Sequence, residues 1–411
     1  MISVEEYVSQ VTAGIAPLPA EEQPLESALG TTLAASIEAR VAVPPFTNSA
    51  MDGFAVRADD VHGASKDAGV NLPVLEDVAA GSTANGTLKP GFATRIMTGA
   101  PLPEGADAVV KVEDTNIEPG PAQMPDQVTI FSAVQPGTNV RKAGENVAVG
   151  DLILEAGITV TPQVLAAAAS VGYGKLPVIP KPRIAIISTG TELQDPGSEL
   201  AHGQIPDSNG IMLDGLAHSL GAEVTYRGRT GDEPEHLEQM LTEAGRCADL
   251  IITSGGVSAG AFDPVKIVGK THNFNFEKVA MQPGKPQGHG VINVDGRGVP
   301  VMCLPGNPVS VYVSFMLFVR PIIGILAGRP GSKLQVVPAL AGASFKSAKN
   351  RRQYAPMRAE LSTSGITVYP THSQASGSHL IATLHQATGL VVVAADVDEV
   401  AQGDLVQYIP L

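Results

Sequence analysis

The run Ala248-Asp249-Leu250-Ile251-Ile252-Thr253-Ser254-Gly255-Gly256-Val257-Ser258-Ala259-Gly260-Ala261-Phe262-Asp263-Pro264 decides how this chain of 411 residues is read. A short aliphatic segment closed by glycines predicts a buried strand, and Asp-Pro predicts the N-cap and first residue of a helix. The loop between them is built of small residues and hydroxyls. Such a strand–loop–helix leaves backbone N–H groups at the positive end of a helix dipole, where a phosphate or another oxyanion can sit. A glycine-rich turn also occurs wherever a strand reverses sharply, so the loop alone leaves both readings open.

The same pattern recurs on either side. Arg183 to Ile187 followed by Ser188-Thr189-Gly190-Thr191-Glu192-Leu193 is a second strand and loop, and Pro300 to Leu304 followed by Pro305-Gly306-Asn307-Pro308 is a third. Between them Asp207-Ser208-Asn209 caps a helix ended by Gly221, Ala222 to Arg227 forms a strand, and Asp232 or Glu233 with Pro234 starts a helix reaching about Arg246. This alternation predicts a doubly wound, mainly parallel sheet whose ligand crevice lies at the carboxyl ends of its strands. The loops after Ile187, Ile252 and Leu304 then converge on one edge. Three small-residue loops at one edge point to a phosphate-containing ligand.

A net charge of −14 disfavours a general nucleic-acid or anionic-membrane partner, so an anionic ligand has to be held by a local arrangement. The only cysteines, Cys247 and Cys303, are far apart and in no metal spacing, which suits core residues in a reducing compartment. Glu5 and Glu6 open the chain where a signal peptide would carry basic residues, and the expected location is the cytoplasm. Val309 to Ala327 is the nearest approach to a membrane span. Arg320-Pro321 interrupts it, which predicts a buried helix followed by a second short one.

Outside the α/β segment the chain changes character. Ser3 and Glu6 form a capping box ahead of Val4, Tyr7, Val8 and Val11, the spacing of one helical face. From Val56 to Val140, glycine, proline and short β-branched runs predict a small β domain. It is preceded by the loop Pro44-Pro45-Phe46-Thr47-Asn48-Ser49-Ala50-Met51-Asp52-Gly53, whose plain reading is a turn cornered at Asp52-Gly53. Thr161-Pro162 caps an alanine-rich helix expected to pack on the N-terminal helical region, which makes the β domain an insertion between two halves of an elongated helical domain. The last eighty or so residues predict a small barrel or sandwich, with Arg351, Arg352, Ser376, Ser378 and His379 in its connecting segments.

The ordered set Pro-Pro-Phe-Thr-Asn-Ser-Ala-Met-Asp-Gly-Phe-Ala at 44–55, Met-Thr-Gly-Ala-Pro at 97–101, Ser-Thr-Gly-Thr-Glu-Leu at 188–193, Thr-Ser-Gly-Gly-Val-Ser at 253–258, Pro-Gly-Lys-Pro at 283–286 and Leu-Pro-Gly-Asn-Pro at 304–308 resembles the molybdopterin molybdenumtransferases. That family includes bacterial MoeA and the E domain of gephyrin, and the resemblance spans essentially the whole chain. It implies an α/β and β multidomain protein. Residues 1–44 with 141–176 would form an elongated helical and extended domain, and 45–140 an inserted β domain. Residues 177–328 would form a doubly wound α/β domain related to molybdopterin adenylyltransferase, and 329–411 a small C-terminal β-barrel. It further implies a homodimer that takes adenylylated molybdopterin and molybdate with Mg²⁺, and releases AMP. A molybdopterin adenylyltransferase would act upstream, and apo molybdoenzymes or their chaperones downstream.

Carried over onto matching positions, the resemblance assigns catalysis to Asp52, Thr98, Glu192, Asp263 and Lys285. Asp52 and Thr98 would come from the β-domain side of a cleft completed by a second subunit. Cofactor binding falls to Ser188, Thr189, Gly190, Ser254, Gly255, Gly256, Ser258, Gly260, Pro305, Gly306, Asn307, Arg351 and Ser378, and metal binding to Glu192, Asp232 and Asp263. The residues suit that chemistry: molybdate is a doubly charged oxyanion that needs donors and a cation, and Mg²⁺ prefers a few carboxylates while keeping waters. Taken alone, Asp232 and Asp263 also read as N-caps, Asp52 as a turn residue and Glu192 as a surface charge. Two positions depart from many members. Asn146 stands where a carboxylate is usual, and Gln282 where a lysine is. They raise the alternative of a non-catalytic or low-activity paralogue that binds molybdopterin as carrier, sensor or scaffold.

Overall fold

The computed structural model describes residues 1–82, 84–257, 263–329, 334–363, 365–372 and 377–411, which form two compact units. One comprises 1–22, 30–34 and 177–411; the other comprises 23–29 and 35–176.

In the first unit the central sheet runs in the order Glu223–Thr230, Arg183–Thr189, Leu250–Ser254, Arg297–Leu304, Pro286–Val294, Asn275–Lys278. The first four strands are parallel, as expected, and the last two are antiparallel. Alternate residues divide between two cores. Ile184, Ile186, Leu250, Ile252, Met302 and Leu304 face one, with helices Ser208–Ser219 and Pro308–Leu326. Ala185, Ile187, Ile251, Val301 and Cys303 face the other, with Pro234–Cys247 and Pro264–Thr271. A strand buried on both faces must be apolar at nearly every position, which is why these runs show no polar alternation.

The antiparallel hairpin was not legible in the sequence. Its strands are rich in glycine and carry His289 and Asn293, and the rings of Phe274 and Phe276 occupy the space a Cβ would need at Gly290 and Gly288. Helix Pro308–Leu326 also differs from expectation. It is one helix whose middle, Phe315–Val319, is a π turn in which the Arg320 N–H donates to the Phe315 carbonyl. Pro321 lacks an N–H to continue the α ladder, and the widened turn absorbs it without a break. Most of the helix is buried in the protein core.

The N-terminal helix Val4–Thr12 keeps its capping box, with Ser3 N–H donating to Glu6 Oε2 at 2.7 Å and Glu6 N–H to Ser3 Oγ at 3.1 Å. Its apolar face joins the sheet's first core: the Tyr7 ring stands edge-on to Phe318 at 4.8 Å and to His289 at 5.3 Å. That face is covered by Pro308–Leu326; in the second unit Pro162–Ser170 lies against the strand Leu152–Leu154.

The C-terminal segment is a barrel rather than a sandwich. Strands Arg352–Ser362, Gly365–Pro370, Val337–Ala341, Leu405–Pro410 and Gly389–Val393 pair in that order, and the first closes on the last. Met281–Gln282 adds to the barrel in parallel beside Arg352 and Gln353.

The second unit holds a sheet in the order Ala108–Lys111, Gly53–Val56, Ala93–Ile96, Val70–Val78, Gln127–Ile130. Gly53 is not a turn corner, as expected, but the first residue of a central strand. A Cβ there would lie 2.0 Å from the Val110 carbonyl oxygen, so only glycine lets the two backbones approach.

Two substitutions test this account. Gly53→Ala is expected to lower stability by about 1–3 kcal/mol or more through forced separation of the strands, read by urea denaturation. Asp249, 7% exposed, accepts from Arg183 Nη2 at 2.7 Å and Arg297 Nη1 at 3.1 Å, tying three strand ends together. Asp249→Ala is expected to cost about 2 kcal/mol in the same measurement, because both arginines reach solvent once released.

Candidate active site

Strand register sets Ser188 beside Ser254 and Ser254 beside Leu304, so the three loops leave the sheet side by side. The Gly255 N–H donates to the Leu304 carbonyl at 3.1 Å, and the Thr189 hydroxyl to the Ser254 carbonyl at 3.4 Å. Gly255 and Gly256 adopt φ of +99° and +69°, and a Cβ on Gly255 would stand 2.6 Å from the Thr189 carbonyl oxygen. Glycine is required there for conformation and for space. On the other side, a Cβ on Gly306 would come within 3.6 Å of Gly255 Cα. The convergence expected from the sequence is thus an observed packing of Thr189, Gly255 and Gly306. Ser258 and Gly260, expected to extend the cradle, lie outside the described residues, as does Ser376.

The Ser188 and Ser254 hydroxyls at this edge are buried and have no hydrogen-bond partner among the described residues. A buried polar group left unpaired costs about 1–3 kcal/mol.

The carboxylates lie on neighbouring loops. Gly190 (φ +146°) leaves room for Glu192, whose Oε2 would stand 2.5 Å from a Cβ at that position. The Thr191 hydroxyl donates to Asp232 Oδ2 at 3.2 Å, joining the loop of Glu192 to the loop after Glu223–Thr230. The N-cap of Pro234–Cys247 is Glu233, which leaves Asp232 outside the helix. Asp263 is the N-cap residue of Pro264–Thr271, and its carboxylate lies 3.9 Å from Lys266 Nζ. Among the described residues no three His, Cys, Asp or Glu side chains gather into a metal-holding group.

Lys285 precedes the strand Pro286–Val294, whose pairing of Gly288 with Cys303 sets its start at the carboxyl edge, beside the end of Arg297–Leu304. Arg351 precedes Arg352, the partner of Met281. The barrel also reaches the edge through Ser378: its carbonyl accepts from the Val309 N–H at 3.1 Å and its hydroxyl from Asn307 Nδ2 at 3.0 Å. Pro305, Gly306 and Asn307 are held from below by Asn209, whose Nδ2 donates to the Gly306 carbonyl at 2.7 Å. Asn209 read in the sequence only as part of a helix cap. Gln287, just past the Pro-Gly-Lys-Pro motif, gave no signal at all, yet it holds that loop as described below.

In the second unit Asp52 and Thr98 meet directly. Asp52 Oδ1 accepts from the Thr98 N–H at 2.6 Å and from its hydroxyl at 2.8 Å. The backbone bond, then the hydroxyl bond, holds the Asp52 carboxyl below its ordinary pKa, so it is ionised at neutral pH. Both residues line a pocket of about 450 Å³ with Glu113, Glu118 and Arg95. Arg95 pairs with Asp77 and donates to the Ala122 and Gln123 carbonyls at 3.0 and 3.1 Å, which fixes one wall.

The two departures differ in setting. The Asn146 N–H donates to the Val43 carbonyl at 3.0 Å. Gln282 pairs in register with Gln353, and Oε1 of the first and Nε2 of the second are buried without a partner among the described residues.

Comparison with known proteins agrees along the whole chain. Residues 2–172 match the MoeA N-terminal region (domains I and II), 185–324 a probable molybdopterin binding domain, and 338–411 the MoeA C-terminal region (domain IV). The chain is 42% identical to molybdopterin molybdenumtransferase 2 of Mycobacterium tuberculosis, covering 99% of each. It is 34% identical to the molybdopterin molybdenumtransferase of Staphylococcus aureus, over 93% of this chain and 90% of that one. A crystal structure of a molybdopterin biosynthesis MoeA protein from Pyrococcus horikoshii superposes with a TM-score of 0.80 at 32% identity, covering 100% of this chain and 99% of the other. With its loops packed at the carboxyl edge and its relatives matched end to end, the chain belongs to the molybdopterin molybdenumtransferase family.

Proposed function

We propose that this chain transfers molybdenum from molybdate into adenylylated molybdopterin and releases AMP in a Mg²⁺-assisted reaction, acting as a cytoplasmic homodimer. The observation that carries the reading is the packed edge formed by Thr189, Gly255 and Gly306, with the idle buried hydroxyls of Ser188 and Ser254. Small residues there allow a ligand to approach backbone N–H groups closely, and Ser188 and Ser254 bring hydroxyls to the strand ends. Lys285 adds a positive charge for the oxyanion, while Arg351 and Ser378 bring a guanidinium and a hydroxyl from the barrel.

The carboxylate set suits Mg²⁺. Mg²⁺ takes one or two carboxylates and keeps waters and substrate phosphate oxygens, so it does not need a three-carboxylate group. Glu192 and Asp232, on adjoining loops, would hold it, with waters and phosphate oxygens completing its shell, and Asp263 on a further loop would act through a water. When bound, the ion neutralises charge that builds on the pyrophosphate oxygens as the bond to AMP breaks. In this reading the ionised Asp52, fixed by Thr98, accepts a proton or orients water. The substrate has to come from a reaction that adenylylates molybdopterin, and the product passes to apo molybdoenzymes or their chaperones.

Purified protein given adenylylated molybdopterin, molybdate and Mg²⁺ is expected to release AMP and to yield cofactor that activates an apo molybdoenzyme. Absence of AMP release from folded protein overturns the proposal. Asp52→Asn and Lys285→Met are each expected to lower kcat/KM by about 10²-fold with little change in melting temperature. If a homodimer shares its sites between subunits, mixing and re-forming dimers from the two variants restores part of the activity. Mixtures no more active than either variant alone argue against a shared site.

A further inference from the structure

We infer that Gln287 is a positioning residue for Lys285, acting through the carbonyl of Gly284. The inference rests on the reading of Lys285 given above and adds a residue to it.

Gln287 is 1% exposed. Its Nε2 donates to the Gly284 carbonyl at 2.7 Å and to Ser314 Oγ at 2.6 Å. A carbonyl only accepts, so the partner itself assigns which end of the amide faces the loop. Oε1 is buried with no partner among the described residues. A carboxamide is costly to place in a core, and an apolar side chain of equal size would avoid the cost. The two short bonds through Nε2 are therefore what this side chain contributes.

Those bonds fix the residue before Lys285. Gly284 has φ +92°, and a Cβ on it would stand 2.9 Å from Ser314 Oγ and 3.2 Å from Gln287 Nε2. Its peptide is wedged between the helix Pro308–Leu326 and the start of Pro286–Val294. On the far side of Lys285, its own carbonyl accepts from the Val279 N–H at 2.8 Å. The lysine is held at both flanking peptides. A long side chain on a backbone pinned twice samples fewer directions, so its ammonium is presented to the edge with less entropy left to lose. Removing the Gln287 amide frees one of the two pins.

The test compares Gln287→Met with Lys285→Met in the AMP-release assay, separating kcat from the KM for molybdate and the KM for adenylylated molybdopterin, with melting temperature measured alongside. Methionine conserves volume and flexibility in a core while deleting both donated bonds. Gln287→Met is expected to move the same kinetic parameter as Lys285→Met, by about tenfold, and to leave the other parameters within about twofold. No change in Gln287→Met, or a change in a different parameter, overturns the inference, as does a uniform loss that tracks a lower melting temperature. If Lys285→Met itself leaves every parameter unchanged, the role given to Lys285 fails, and that outcome is distinguishable because it does not involve Gln287. Should Gln287→Met not fold, Ser314→Ala removes only the hydroxyl that steadies the amide. It is expected to shift the same parameter about twofold, and no shift overturns the inference.

Discussion

Burial of the strands Arg183–Thr189 and Leu250–Ser254 on both faces is the constraint on which the rest of the α/β unit depends. Ile184 and Ile186 point into one core and Ala185 and Ile187 into the other, all fully buried. A parallel pair enclosed in this way can present polar groups only where it ends. At that end Ser188 and Ser254 stand side by side in the ladder, just past Thr253, and both are hydroxyls without a protein partner among the described residues. The position of these two hydroxyls is therefore a consequence of the core.

A second constraint is how the barrel of residues 337–410 is coupled to that edge. Met281–Gln282 enters the barrel as an added strand, while two residues later the chain turns at Gly284 toward Lys285 and back into the sheet. Ser378 satisfies the Val309 N–H, one of the donors that the start of a helix leaves without an intrahelical acceptor. Ser378 thus arrives at the edge by helix capping, which is short-range and rigid, while Arg351 adjoins the backbone pairing of Arg352 with Met281.

Legibility in the sequence followed physical coupling. The buried parallel strands, the Asp207 and Thr161 caps and the capping box of Ser3 and Glu6 were readable because each depends on residues a few positions apart. The longest barrel strand, Arg352–Ser362, was not, since Pro356 and three charged residues break its pattern. It is held instead by pairing with Gly389–Val393 and Gly365–Pro370. Gly53 read as a turn residue because a glycine needed for strand contact and one needed for a turn look identical in one dimension. The Asp52–Thr98 pair joins residues 46 positions apart, and no local rule links them.

The order of motifs along the chain was enough to set the family, and hydrophobic period with loop composition was enough to set the fold class of the α/β segment. Tertiary structure decided which polar groups are already satisfied and which remain idle. Thr191 is committed to Asp232, Asn209 to Gly306 and Gln287 to Gly284, whereas Ser188 and Ser254 have no partner among the described residues. Hydrogen-bond partners in a core are set by packing distances of a few tenths of an ångström between segments up to 97 residues apart, and a sequence carries no record of those distances.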